Sequence, residues 1–142
     1  HKLAKSNTPH SLILLDIDNF KKLNDTQGHH HGDYILKIVA ATLKEYSHAP
    51  NVVARYGGDE FALILPQTSK EDSRLIAEKI RNSILVNPQL LPYPFISVSL
   101  GIAAYPDDAQ DAEELLEKVD SALYMAKERG KNFVYVYKND NE

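Results

Sequence analysis

Two pairs of carboxylates in this chain sit where folding alone gives little reason to put them. Asp59 and Glu60 follow directly on Gly57 and Gly58, and the apolar run of residues 12–15 ends in Asp16-Ile17-Asp18. Adjacent acids at a tight turn repel each other. A bound divalent cation, or a phosphate ester held through one, supplies a reason for them. Hard oxygen donors suit Mg²⁺, with Mn²⁺ as a substitute. Glycines leave no side chain in a ligand's way and permit positive φ. On the turn alone, an ordinary Gly-Gly hairpin followed by a solvated acid pair reads as well. Asp16 and Asp18 each have a plain reading as strand-end turn acids, and for Asp18 that reading is preferred.

Elements that could position these groups alternate along the chain. Residues 12–18 read as a buried strand with carboxylates at its C-terminal end, where ligands of α/β proteins tend to bind. A helix is expected over residues 32–47, with Ile35, Leu36, Val39, Leu43 and Tyr46 as its apolar stripe. Residues 52–54 and 61–65 form the two strands of the hairpin that carries the acids. A helix over 69–86, a proline-rich loop over 87–94, a strand over 95–104, a helix over 111–129 and a strand over 133–137 follow. Gly130 fits a helix stop, and residues 139–142 read as a frayed tail. The order βαββαβαβ predicts an α/β (α+β) fold, a mixed five-stranded sheet flanked by helices.

With 142 residues, the chain is long enough for one domain with a real core. It has no cysteine, which excludes disulfides and thiolate metal sites. The net charge of −4, with dispersed basic residues, argues against a nucleic-acid surface. No apolar run approaches the length of a membrane helix, so no membrane contact by this domain is expected. An acidic protein that binds a polyanionic nucleotide needs metal ions and a few well-placed lysines. The turn Asn19-Phe20-Lys21 offers backbone N–H groups and one ammonium for phosphates. Lys127 and Lys131, four apart near a helix end, offer two more; as a plain surface feature they would complement the helix dipole. Asn24 and Asp33 also read plainly, as turn chemistry and as a helix N-terminal acid.

Asp16-Ile17-Asp18-Asn19-Phe20-Lys21 with Asn24-Asp25, then Gly28-His29 with Gly32-Asp33, then Arg55-Tyr56-Gly57-Gly58-Asp59-Glu60-Phe61 stand in order. Asp120-Ser121-Ala122-Leu123-Tyr124-Met125-Ala126-Lys127 with Gly130-Lys131-Asn132 forms a third block. Together these motifs resemble the GGDEF family, the diguanylate cyclases, over nearly the whole chain. The resemblance implies a fold related to nucleotidyl cyclases and the polymerase palm. It implies condensation of two GTP molecules into cyclic di-GMP at the interface of two copies of the domain. Asp16, Asp59, Glu60 and the carbonyl of Ile17 would hold the metal. Asp59 and Glu60, presented by Gly57 and Gly58, would be catalytic. Asn24 and Asp33 would read guanine, and Asn19, Phe20, Lys21, Lys127 and Lys131 would bind phosphates. Lys131 stands where the family often has arginine, keeping the charge but losing the fork.

Other expectations follow from the same likeness. Residues 1–11 are too few for the helix that family members carry before the first strand. The chain therefore reads as one trimmed domain, residues 1–142, of a bacterial cytoplasmic protein with a sensory domain upstream. His29 matches the family pattern; His30 and His31 read as loop or solvated residues, with adventitious transition-metal binding as a lesser reading. The family's inhibitory Arg-x-x-Asp window corresponds to His48-Ala49-Pro50-Asn51, which predicts weak product inhibition. The rival reading is a catalytically inactive module that senses GTP or cyclic di-GMP. Degenerate members of the family usually lose residues of the Gly-Gly-Asp-Glu-Phe turn, and all five are present here.

Overall fold

The structure, a computed structural model, describes residues 8–140 and Glu142. The residues that would bear on the missing family helix, 1–7, lie outside the described ones. The elements in order are β1 (His10–Asp18), α1 (Phe20–Gln27), α2 (His29–Glu45), β2 (Val52–Arg55), β3 (Glu60–Leu65), α3 (Lys70–Leu85), β4 (Ser97–Tyr105), α4 (Ala112–Glu128) and β5 (Val134–Val136). The five strands form one sheet in the order β2-β3-β1-β4-β5, antiparallel except for β4 against β5. The mixed five-stranded sheet is the one read from the sequence. No described helix is long and apolar enough to cross a membrane.

Period-two alternation in β1 splits the core into two layers. Ile13, Leu15 and Ile17 join one cluster with Ile35, Val39 and Leu43 of α2 and Ile80 and Ile84 of α3. Leu14 joins the other with Ala62, Ala103 and, from α4, Leu115, Val119 and Leu123. The alternation continues past the apolar run, so Asp16 and Asp18 fall on the α4 side.

One glycine sets how closely α4 approaches. A Cβ at Gly101 of β4 would lie 2.2 Å from the backbone nitrogen of Leu123 and 2.7 Å from the carbonyl carbon of Ala122. Those are backbone atoms of a packed helix and cannot step aside. Gly101→Ala should therefore cost about 3 kcal/mol or more, the upper end for overpacking. A lowered urea midpoint at unchanged slope checks it; a wild-type midpoint would mean that α4 lifts freely from the sheet.

The structure differs from the sequence reading in four places. Residues 20–27, where turns were expected at 19–21 and 24–25, form α1. Only Phe20 and Leu23 of that helix are buried, and eight residues are too few to signal a helix by periodicity. Gly28, at φ 93°, separates α1 from α2, which starts at His29 rather than Gly32. His30 and His31 thus belong to a helical first turn, not a loop, and His31 Nδ1 is hydrogen-bonded to the Tyr93 hydroxyl at 2.7 Å. The last two strands also shift: β4 runs over 97–105 rather than 95–104, and β5 covers 134–136 rather than 133–137. Finally, the tail bonds back. Buried Lys70 donates to Asp108 Oδ1 (2.9 Å), to the Tyr137 carbonyl (2.8 Å) and to Glu142 Oε1 (2.7 Å). Asn139 Nδ2 donates to the Asp107 carbonyl at 2.8 Å.

Candidate active site

The central strand delivers the first acid. Asp16 pairs in register with Glu60 of β3 on one side and Ser99 of β4 on the other, and the residue is 5 % exposed. Its Oδ2 accepts a hydrogen bond from Lys127 Nζ at the end of α4. Its Oδ1 is buried without a hydrogen-bond partner. A buried anionic oxygen left unpaired is costly unless something cationic meets it.

The second acid comes from the hairpin. The loop between β2 and β3 is four residues, Tyr56 to Asp59, and it closes on one acceptor. The backbone N–H groups of Tyr56 and Gly57 both donate to the Glu60 carbonyl, at 2.8 and 3.2 Å. The N–H of Ile17 donates to the Asp59 carbonyl at 3.0 Å, which ties the loop to the end of β1. Arg55 holds the other side, donating through Nε to the Gly57 carbonyl (3.1 Å) and through an η-nitrogen to that of Gly58 (2.6 Å). Neither Gly57 nor Gly58 adopts a positive φ, so the conformational reason expected for these glycines does not apply. A Cβ at Gly58 would meet nothing within 4 Å, whereas one at Gly57 would come to 3.2 Å from Glu60 Oε1.

A cleft of about 290 Å³ joins these parts. Its lining brings Asp16, Ile17, Asp18 and Asp59 together with Asn19, Phe20, Lys21, Lys127 and Lys131. Asn19 stands at φ 64° and starts α1 without a side-chain cap, so the first-turn N–H groups of that helix have no intrahelical or capping partner. An anion is favoured at such a terminus. Carboxylates beside ammonium and N–H groups suit a cation together with a phosphate chain. Burial, then the neighbouring Lys131 ammonium, pull the Lys127 pKa below its usual value. The Asp16 carboxylate at its tip acts the other way, and the ion pair is the state we favour.

Among the described residues, no three His, Cys, Asp or Glu side chains converge as a metal cage. The donors that fit a cation are two carboxylates and a main-chain carbonyl, the sparse protein set that suits Mg²⁺ with its retained waters. Glu60 does not line the cleft. Burial, then the Asp59 carboxylate, then that of Asp120 on α4 raise its pKa above 4.5. A raised folded-state pKa means that the folded protein binds this proton more tightly than the unfolded chain. Glu60 therefore favours folding at low pH, and that contribution fades as pH rises above 4.5. Glu60→Gln should melt like wild type at pH 4 and higher by roughly a degree or two at pH 8. Thermal melts at both pH values check it, and a lower melting point at pH 8 would contradict it.

Asn24 and Asp33 stand apart from the cleft. Asn24 lies inside α1, and its Oδ1 is buried without a partner, packed where a Cβ on Gly32 would reach it. Asp33 is exposed on α2, beyond the first turn, and α2 has no side-chain cap. The turn role for Asn24 and the helix-start role for Asp33 thus both lose their footing. A larger cleft of about 390 Å³, between His30, His31, Tyr34 and Gln89, Pro92, Tyr93, is mostly apolar and has no acid in its lining.

Three features escaped the sequence reading. Arg55 was part of a motif but had no assigned partner. Lys22 also lines the cleft, facing Phe95 with Nζ 5.9 Å from the ring centroid. Asp18 is 3 % exposed and accepts from Ser97 Oγ (2.7 Å), Ser99 Oγ (2.8 Å) and the Asn132 N–H (2.9 Å). The alternating serines at 97 and 99 were the available signal, placing two hydroxyls on one face of a strand.

Residues 1–133 match the family model described as "Diguanylate cyclase, GGDEF domain". The chain is 37% identical over 134 residues to diguanylate cyclase A of Treponema denticola, covering 92% of this chain and 36% of that protein. The solved active GGEEF domain of a diguanylate cyclase from Vibrio cholerae superposes with a TM-score of 0.89 at 30% identity, over 98% of this chain and 89% of that one. The GGDEF domain of DgcB from Caulobacter crescentus, solved in complex with c-di-GMP, gives 0.84 at 32% identity, over 97% and 83% of the two chains. The chain spans about a third of the length of the curated relatives it matches.

Proposed function

The chain belongs to the diguanylate cyclase GGDEF-domain family, and we propose that it condenses two GTP molecules into cyclic di-GMP with release of two pyrophosphates. The observation that carries this reading is the cleft. It gathers the unpaired oxygen of Asp16, the Asp59 carboxylate, the α1 N-terminus, Lys127 and Lys131 in one lining, with Lys127 bonded to the other oxygen of Asp16. Asp16, Asp59 and the Ile17 carbonyl hold Mg²⁺, or Mn²⁺ in its place, and Glu60 serves a second ion or the attacking hydroxyl. When bound, the metal activates that hydroxyl and neutralises charge on the phosphoryl oxygens. The N–H groups of Asn19, Phe20 and Lys21 and the two lysines orient the triphosphate. Gly57 and Gly58 keep the approach to the α-phosphate open. The 3′-hydroxyl of one GTP attacks the α-phosphate of another, the bond to the β-phosphate breaks, and pyrophosphate leaves; the second step repeats this.

One cleft holds one GTP, so the reaction needs a second copy of the domain facing it. The assignment is to the cytoplasm, where GTP is supplied, under an upstream sensory domain. Incubation with GTP and Mg²⁺ followed by product chromatography should give cyclic di-GMP and pyrophosphate. The specific rate should rise with protein concentration. A mononucleotide product, or none at any concentration, would refute the reading.

Asn24 and Asp33 carry base selection. A carboxylate at Asp33 accepts from N1–H and the exocyclic amine of guanine, and adenine lacks that donor pair. A bound adenine would cover the exposed Asp33 carboxylate without pairing it, so ATP should be rejected by about 1–3 kcal/mol. Asp33→Ser should narrow the preference for GTP, measured by competition of the two nucleotides. An unchanged ratio would remove Asp33 from the site.

A further inference from the structure

The turn after α4 is built in an unfavourable conformation. Gly130, Lys131 and Asn132 all have positive φ, at 109°, 67° and 49°. The first is an ordinary helix stop: the Gly130 N–H donates to the Lys127 carbonyl and the Lys131 N–H to that of Ala126. The next two bear side chains and continue in the left-handed region, which L-residues avoid. Something outside the turn must hold them there.

Two groups do. Asp18 accepts the Asn132 N–H at 2.9 Å, and Arg81 of α3 donates to Asn132 Oδ1 at 2.9 Å. Asp18 is itself fixed by the hydroxyls of Ser97 and Ser99. Held in this way, the turn carries Lys131 back over the end of β1, where its Nζ meets Asn19 Oδ1 at 3.2 Å in the cleft. The Asn19 amide is anchored in turn, donating to the Phe95 carbonyl at 2.8 Å. A lysine is a point charge on a flexible stem, so its backbone must aim it.

We propose that Asp18, with Arg81 as a second clamp, is a positioning residue that aims Lys131 at the triphosphate of the bound nucleotide. The inference rests on the cleft being a phosphate site. Asp18 needs its acceptor geometry and not its charge. An amide at position 18 keeps one oxygen for Ser97 Oγ and the Asn132 N–H, and the buried Ser99 hydroxyl can rotate to accept from the new NH₂.

The test compares Asp18→Ala, Asp18→Asn and Arg81→Met with wild type. Titration calorimetry with Mg²⁺ and inorganic tripolyphosphate is the binding probe, and KM against kcat for GTP is the kinetic one. Asp18→Ala should weaken tripolyphosphate binding and raise KM about tenfold, the loss of one aligned charged contact, while kcat stays within about twofold. Amide exchange over residues 130–133 should speed up in the same variant. Arg81→Met should move both constants the same way by a smaller factor, and it carries the test if Asp18→Ala does not fold. Asp18→Asn should bind within about twofold of wild type, since it keeps these hydrogen bonds. A wild type that makes no cyclic di-GMP, but loses tripolyphosphate affinity on Asp18→Ala, would retire the cyclase reading and keep this one. Wild-type affinity in both Asp18→Ala and Arg81→Met would overturn the proposal. So would an Asp18→Asn loss as large as that of Asp18→Ala, because a charge role would then have replaced a geometric one.

Discussion

Asp59→Ala should fold as the wild type does and make no measurable cyclic di-GMP. The part of Asp59 that supports the structure is its main chain, whose carbonyl accepts the Ile17 N–H, and alanine preserves that bond. The side chain stands beside Glu60, whose pKa it helps to raise, so its removal relieves repulsion. The melting temperature should therefore be unchanged or slightly higher. Activity is different, because Asp16 and Asp59 are the lining carboxylates left for a catalytic ion, the third, Asp18, being taken up by Ser97, Ser99 and the Asn132 N–H. Asp16 alone, already paired with Lys127, leaves too little charge to hold it. Loss of the ion removes several kcal/mol of transition-state stabilisation, about a thousandfold in rate or more. Asp59→Glu keeps a carboxylate on the same loop and should retain turnover. Initial rates of pyrophosphate release, beside melts of each variant, measure this. A folded Asp59→Ala protein with near-normal synthesis would remove Asp59 from the metal site.

The sheet was legible because its strands are written in period two and in apolar runs bounded by turn residues. β1 shows both parts of the argument: Ile13, Leu15 and Ile17 identify one buried face, and Asp16 on the other is the residue that needs a partner. The helix α1 was not legible. Its sequence, Phe20-Lys21-Lys22-Leu23-Asn24-Asp25-Thr26-Gln27, has two apolar residues and a turn-like Asn-Asp pair. It is helical because Phe20 and Leu23 are buried in the main cluster, and that is tertiary information. The acids and lysines of the cleft could be named from motif and spacing. What could not be read is which of two acids on one strand face keeps an oxygen without a partner. On β4, Ser97 lies opposite Asp18 and Ser99 opposite Asp16, but both hydroxyls turn to Asp18, and on β3 Asp16 faces another acid, Glu60. Of the two reasons read for the hairpin glycines, positive φ does not hold, since neither is left-handed, and what remains is the other, that they leave no side chain in a ligand's way.

That last point carries the second large effect. Gly58→Ala should leave the melting temperature within about a degree of wild type, as expected of a surface change that touches no special feature. The added methyl meets no atom within 4 Å, and the residue does not need a left-handed backbone. The Gly58 carbonyl that Arg55 holds at 2.6 Å is present in either residue. Alanine is thus compatible with the free protein, and glycine is required only by whatever approaches from outside. In the proposed reaction that is the substrate at the α-phosphate, or the facing copy of the domain. A methyl there displaces the reacting groups by about an ångström, a misplacement that costs on the order of a hundredfold in rate. Gly57→Ala is the informative comparison, because its methyl would press on Glu60 Oε1 at 3.2 Å and should disturb the free protein as well. Stability and initial rate measured on both variants separate the two cases. Wild-type turnover by Gly58→Ala would show that the substrate does not pass over this turn, and the assignment of the hairpin tip to catalysis would have to be given up.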